Sequence, residues 1–247
     1  VHLILEYVMV LIPGLVLGGV LLWGLKRNSP LWHLGIFIMV FIFTRDAMTP
    51  LGLWRIGSQG GIWLRFYPDP LVLAFLGASG VVLVLLFQVA SPALAETVVW
   101  FRRRWWTGLL VGLAGALVVA APLLIYQGLA IPLDERGGMV PRGMIPFLLM
   151  VTLGGNFLEE VLFRGYVFGW LTTREEVAPG KAAVLSGVLF SFGHLFLAFT
   201  VTDLGIGLLV FTLWEGCLAG VVRWHYGVIP AVVTHGLAIF LLAAGVV

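Results

Sequence analysis

The 247-residue chain has one cysteine, Cys217, so no disulfide can close within it and no site built from several thiolates is available. Charge is scarce too, with Asp, Glu, Lys and Arg making up 11% of residues, and no polar stretch is long enough to form a soluble domain. A strong basic excess is missing. The formal net charge is +2, and most of the arginines flank apolar runs, which suits anionic lipid headgroups and gives no reason to expect nucleic acid as a partner. There is no HExxH helix signature of a zinc hydrolase, and Ser186 and Ser191 lack the flanking glycines of a nucleophile turn. No repeat and no low-complexity linker interrupts the chain.

What fills the sequence is apolar residue: 61% hydrophobic, with a mean hydropathy of +1.08. Runs bounded by charge, proline or glycine lie near 3–25, 31–44, 70–90, 108–130, 143–168, 182–200, 204–223 and 228–246. The expected fold is therefore all-α, a polytopic membrane protein of about eight transmembrane helices forming one membrane domain over 1–247, set in the lipid bilayer of the cell (plasma) membrane. The first run has no basic segment ahead of it and extends for about 20 residues, so it reads as a span and not as a cleaved signal. The stretch 51–70, with Trp54, Trp63 and Tyr67, reads as an interfacial loop or half-helix.

Lys26, Arg27, Arg102, Arg103, Arg104, Arg174, Lys181 and Arg223 fall at one end of these spans, and Arg45, Arg55, Arg65, Arg136 and Arg142 at the other. That bias makes the first end cytoplasmic and places both termini outside. Glu159 then lies about 24 Å along the fifth span at 1.5 Å per residue, in the cytoplasmic half. Glycines four apart, as in Gly108 and Gly112 or Gly216 and Gly220, read as close helix contacts.

Against this apolar background the segment NFLEEVLFRGYVF, 156–168, concentrates charge. An ionised side chain at bilayer depth costs at least about 2.5–3.5 kcal/mol, so Glu159, Glu160 and Arg164 must pair or line a wet cavity. Glu160 and Arg164 are four apart and share a helix face, whereas Glu159 points about 100° away and is left for another task. A carboxylate in a protein cavity is suited to holding a water and taking its proton near neutral pH. The segment FSFGHL places Phe190 and His194 one turn apart, the ring walling the place where the imidazole sits. VVTHGLAIF puts His235 in the last span, where an imidazole can donate a hydrogen bond to an oxyanion. A carboxylate pair and two histidines on three helices make a water-activating site. Glu215, in WEGC, is a further carboxylate inside an apolar run, read as the partner of an arginine such as Arg164, as a helix end nearer the interface, or as a group with a substrate or catalytic role.

The order EEVLFR, FSFGH and HGLAI resembles the three motifs EExxxR, FxxxH and HxxxN of the type II CAAX prenyl endopeptidase and bacteriocin-processing (ABI) family, over a region near 145–246. The resemblance implies an intramembrane glutamic-type endopeptidase that uses no metal or other cofactor and acts on a membrane-associated protein or peptide. In that scheme Glu159 activates water with His194 assisting, Glu160 and Arg164 orient the site, and His235 donates to the oxyanion. Ile239 departs from the motif at its asparagine, and Asn156, one turn before Glu160, is the candidate replacement. The competing reading is a transporter or immunity-type membrane protein that uses the same cluster to relay protons or bind a ligand. Such a protein is expected to show paired repeats and broken helices, and the sequence shows neither. Neither the substrate nor the oligomeric state is written in these residues.

Overall fold

The computed structural model describes residues 1–24, 29–57 and 63–245. Lys26 and Arg27, two of the charges used above for orientation, lie outside the described residues. Each of the eight apolar runs is helical: α1 His2–Gly24, α2 Pro30–Asp46, α3 Pro70–Ala90, α4 Trp105–Ala130, α5 Ile145–Glu160, α6 Pro179–Gly193, α7 Gly205–Tyr226 and α8 Val228–Ala244. Among the described residues six helices are long and apolar enough to cross a bilayer, counting α5 with its flanking turns as Arg142–Thr173 and α6 as Pro179–Val201. The protein is an all-α integral membrane protein apart from one small hairpin.

Helix starts follow local chemistry. Pro70 opens α3 where its missing N–H costs nothing, and Asp69 caps it by accepting from the backbone N–H groups of Leu71 at 2.8 Å and Val72 at 3.0 Å. Proline also stands in the first turn of α2, α5 and α6. A single residue, Gly227, joins α7 to α8. Its φ of 109° belongs to the region glycine alone enters freely, and its Cα passes against the carbonyl of Trp100, leaving no room for a side chain. The tight turn sets α7 and α8 side by side.

The packing brings α3 onto α5, α6 onto α7, and α8 onto both α4 and α5. Glycine lets the backbones meet: a Cβ at Gly80 would strike the carbonyl of Gly154, Gly108 and Gly112 receive Pro230, and Gly216 and Gly220 receive Gly187 and Ala183. The outward faces stay apolar, with Leu5, Val16, Leu85, Leu117 and Val210 exposed where lipid would lie.

Two helices depart from regular geometry, and the sequence shows no sign of either departure. After Glu160 the chain widens into a π-helix over Val161–Val167 before closing in α-helical turns to Thr173. The α-helical part of α6 ends at Gly193, and a second π segment follows at Leu197–Val201. Single π turns inside helices are frequent at functional sites.

The stretch 51–70 is neither an irregular loop nor a half-helix. It carries two antiparallel strands, β1 Trp54–Gly57 and β2 Trp63–Phe66, with Trp54 opposite Phe66 and Arg55 opposite Arg65. Buried Arg65 fastens this hairpin to the bundle, donating to the carbonyls of Gly138 and Leu242, each at 3.1 Å. Two more of the arginines used for orientation prove to be internal. Arg223 is buried and donates to the carbonyl of Arg164 at 2.8 Å, and Arg45 reaches into the bundle. Neither is an interfacial loop charge.

Candidate active site

Glu159, Glu160, Arg164, His194, His235, Asn156 and Phe190 come together at the centre of the bundle, all buried. Helix α5 supplies the two carboxylates on diverging faces. Glu160 turns inward, accepting from Arg164 Nη1 at 3.0 Å and sharing a 2.8 Å hydrogen bond with His235 Nδ1. Arg164 is fully enclosed. Its Nη2 donates to the carbonyl of Gly216 at 2.9 Å, and its guanidinium lies 4.3 Å above the Phe190 ring, a cation–π contact. Side chains from elsewhere meet carbonyls of the widened π turn: Arg223 Nε donates to that of Arg164 at 2.8 Å, and Thr97 Oγ1, at 3.4 Å, reaches that of Gly165, which also accepts from the backbone N–H of Phe168.

Glu159 faces the other way and is not free. Arg45, at the end of α2, donates from Nε to Glu159 Oε1 at 2.6 Å and forms an ion pair with the same oxygen through Nη2. Arg45 Nη2 also reaches Asn156 Oδ1 at 3.4 Å, so Asn156 and Glu159 are held by one guanidinium. The remaining oxygen, Glu159 Oε2, looks across at His194 Nε2, 3.9 Å away. That gap is too long for a direct hydrogen bond and short enough for one water to bridge.

The ending of α6 fixes the histidine. The backbone N–H of His194 turns back to the carbonyl of Ser191 at 3.0 Å, and this releases the carbonyl of Phe190, which accepts from His194 Nδ1 at 2.9 Å. With Nδ1 as donor, Nε2 presents its lone pair toward Glu159. Phe190 packs on both imidazoles, with ring centroids 4.6 Å from His194 and 5.5 Å from His235. It stands behind the cavity wall and holds the groups that form it.

The cavity in front of these groups has a volume of about 90 Å³, room for several waters given roughly 10–15 Å³ for each on this measure. Its wall includes Arg45, Asn156, Glu159, His194, Glu215 and His235, and it continues through apolar side chains to Trp54, Trp63 and Phe66 of the hairpin. The cavity thus extends from the polar cluster toward the end of the bundle that carries the hairpin with Arg55 and Arg65. Ile239, one turn beyond His235, lines the same cavity. Among the described residues no group of three or more His, Cys, Asp and Glu side chains converges as metal ligands.

Sequence reasoning missed the contribution of Arg45. Its one visible signal was the shortness of the second apolar run, 31–44, which falls below the length of a bilayer span and so invited extension to Asp46. Glu215 does not pair with Arg164. Its Oε2 lies 3.4 Å from His235 Nε2.

Residues 141–241 match the family model described as Rce1-like, type II CAAX prenyl endopeptidase Rce1-like. No curated protein and no solved structure matches the chain. The matched segment holds Glu159, Glu160, Arg164, His194, Glu215 and His235, and excludes α1 to α4 and with them Arg45. The match implies protease activity in general.

Proposed function

We propose that the protein is an intramembrane glutamic-type endopeptidase that hydrolyses a peptide bond in a membrane-associated substrate. The observation that carries this reading is the facing pair Glu159 Oε2 and His194 Nε2, 3.9 Å apart across a cavity and each anchored through its other polar atom. A water between them is polarised from both sides. As its oxygen adds to the substrate carbonyl, its proton passes to this pair, which returns it to the leaving amine. Arg45 fixes the orientation of Glu159, while Glu160, Arg164 and Phe190 hold His235 in place. Asn156 supplies a donor, since its Nδ2 is buried and has no hydrogen-bond partner among the described residues. The apolar walls suit a prenylated or lipidated peptide, or a single-helix C-terminal sorting tail.

The interrupted helices at Val161–Val167 and Leu197–Val201 are also a feature that a proton-relaying carrier would use, so the decisive test is cleavage itself. Purified protein in detergent, dialysed against phenanthroline and EDTA, is expected to keep cleaving a quenched farnesylated CAAX peptide with under about one-tenth of a metal ion per chain. Activity that vanishes on chelation and returns with zinc would recast Glu159, His194 and His235 as ligands. Failure to cleave either this peptide or an unprenylated single-helix tail would favour the carrier.

On the same peptide, Arg45→Met is expected to lower kcat about 10- to 100-fold, because a catalytic group displaced by as little as 1 Å loses that much. Wild-type kcat in this variant would mean that Glu159 needs no support from α2.

A further inference from the structure

Three carboxyl groups, Glu159, Glu160 and Glu215, are buried around one centre that holds two guanidinium groups. Arg45 is committed to Glu159, and Arg164 to Glu160 and the carbonyl of Gly216. No cation pairs with Glu215 among the described residues other than through the His235 imidazole. The His235 imidazole bridges the two other acids, its Nδ1 2.8 Å from Glu160 Oε1 and its Nε2 3.4 Å from Glu215 Oε2. A carboxyl group buried without a guanidinium of its own is held in its neutral, protonated form, because an isolated buried carboxylate is far more costly.

Position adds to this. Glu215 lies on α7, lines the same cavity as Glu159 and His194, and its Oε1 is buried with no hydrogen-bond partner among the described residues. The neighbouring position on α8 offers no polar group, because Ile239 occupies the turn after His235. Peptide hydrolysis places negative charge on the carbonyl oxygen as water adds, and a fixed donor aimed at that oxygen is among the most valuable parts of such a site.

We propose that the carboxyl group of Glu215, in its protonated form, donates a hydrogen bond to the substrate oxyanion. The proposal rests on the proteolytic reading above. As the water oxygen bonds to the carbonyl carbon, the carbonyl π pair moves to oxygen, which accepts from Glu215. The water proton resides on the Glu159–His194 pair. When the tetrahedral intermediate collapses, the C–N bond breaks and that proton goes to the leaving nitrogen. Glu215 ends the cycle as it began, still protonated.

The test uses the purified full chain in detergent with the quenched farnesylated peptide. Glu215→Leu is expected to lose about 10²- to 10³-fold in kcat with KM changed little. Glu215→Gln keeps an N–H donor and should remain within about tenfold of wild type, since an amide is an effective oxyanion donor. Adding Ile239→Asn to Glu215→Leu puts an amide into the same cavity and should recover at least about tenfold of the lost rate. An infrared difference spectrum, wild type minus Glu215→Gln, should show the carbonyl stretch of a protonated carboxylic acid, a readout that holds even where Glu215→Leu fails to fold. Wild-type kcat in Glu215→Leu, no recovery with Ile239→Asn in a folded double variant, or no protonated-acid band each overturns the proposal. If the wild-type protein itself does not cleave, the proteolytic reading falls and this proposal with it. Failure of the proposal alone is distinguished by wild-type turnover that Glu159→Gln abolishes.

Discussion

Glu159→Gln is expected to lower kcat for peptide cleavage by about 10²- to 10⁴-fold, the range over which a positioned general base contributes. Glutamine has the same shape and its carbonyl oxygen can still accept from Arg45 Nε, so the anchor to α2 survives and the loss isolates the charge. What disappears is the acceptor that faces His194 Nε2 across the 3.9 Å gap. An amide placed there cannot take a proton from water. His194→Ala removes the other side of the same bridge and should cost a comparable factor. Because the two groups act on one water, the double variant should be little slower than either single one. Single-turnover cleavage of the farnesylated peptide, which separates the chemical step from release, is the measurement. A wild-type rate in Glu159→Gln would remove Glu159 from the reaction, and additive losses in the double variant would mean that the two groups do not share a water.

The part of the site visible in the sequence is the part set by helix periodicity. Glu160 and Arg164 stand one turn apart and pair, Glu159 diverges from them, and Phe190 sits one turn from His194. The apolar runs were equally legible as helices, since a bilayer admits few other ways of satisfying the backbone. The hidden parts depend on distant chain. Arg45 meets Glu159 across 114 residues, and a charge at the end of an apolar run reads as a boundary until the fold turns it inward. The contact of Arg223 was hidden for the same reason. In the last turn of α7 it reads as a headgroup-facing charge, yet it donates to the carbonyl of Arg164 in the π turn. The π turns themselves leave no mark, because a shift in hydrogen-bond register needs no particular residue and the apolar pattern runs straight through it. The hairpin was lost because Trp54 and Trp63, read as interfacial aromatics, are also ordinary strand residues.

Arg164→Ala is expected to lower folding stability by about 3–5 kcal/mol and to abolish cleavage, because removing one partner of a buried ion pair leaves the other uncompensated. The arginine is fully buried, and the variant would strip Glu160 of its guanidinium, leave the carbonyl of Gly216 without its donor and open space beneath the Phe190 ring. For a chain of this size each kcal/mol corresponds to roughly 2–4 °C, so Tm in detergent should fall by about 6–20 °C. The activity loss follows by a separate route: Glu160, left with only the His235 imidazole, no longer holds that ring where it faces the cavity. A second variant separates burying a lone charge from losing a contact. Changing Arg164 to Met together with Glu160→Gln removes both charges and keeps most of the volume, and should be less destabilised than Arg164→Ala alone. Activity should stay absent in it. A melting profile for Arg164→Ala that matches wild type, with cleavage abolished, would mean that the guanidinium serves the substrate and not the frame of the site.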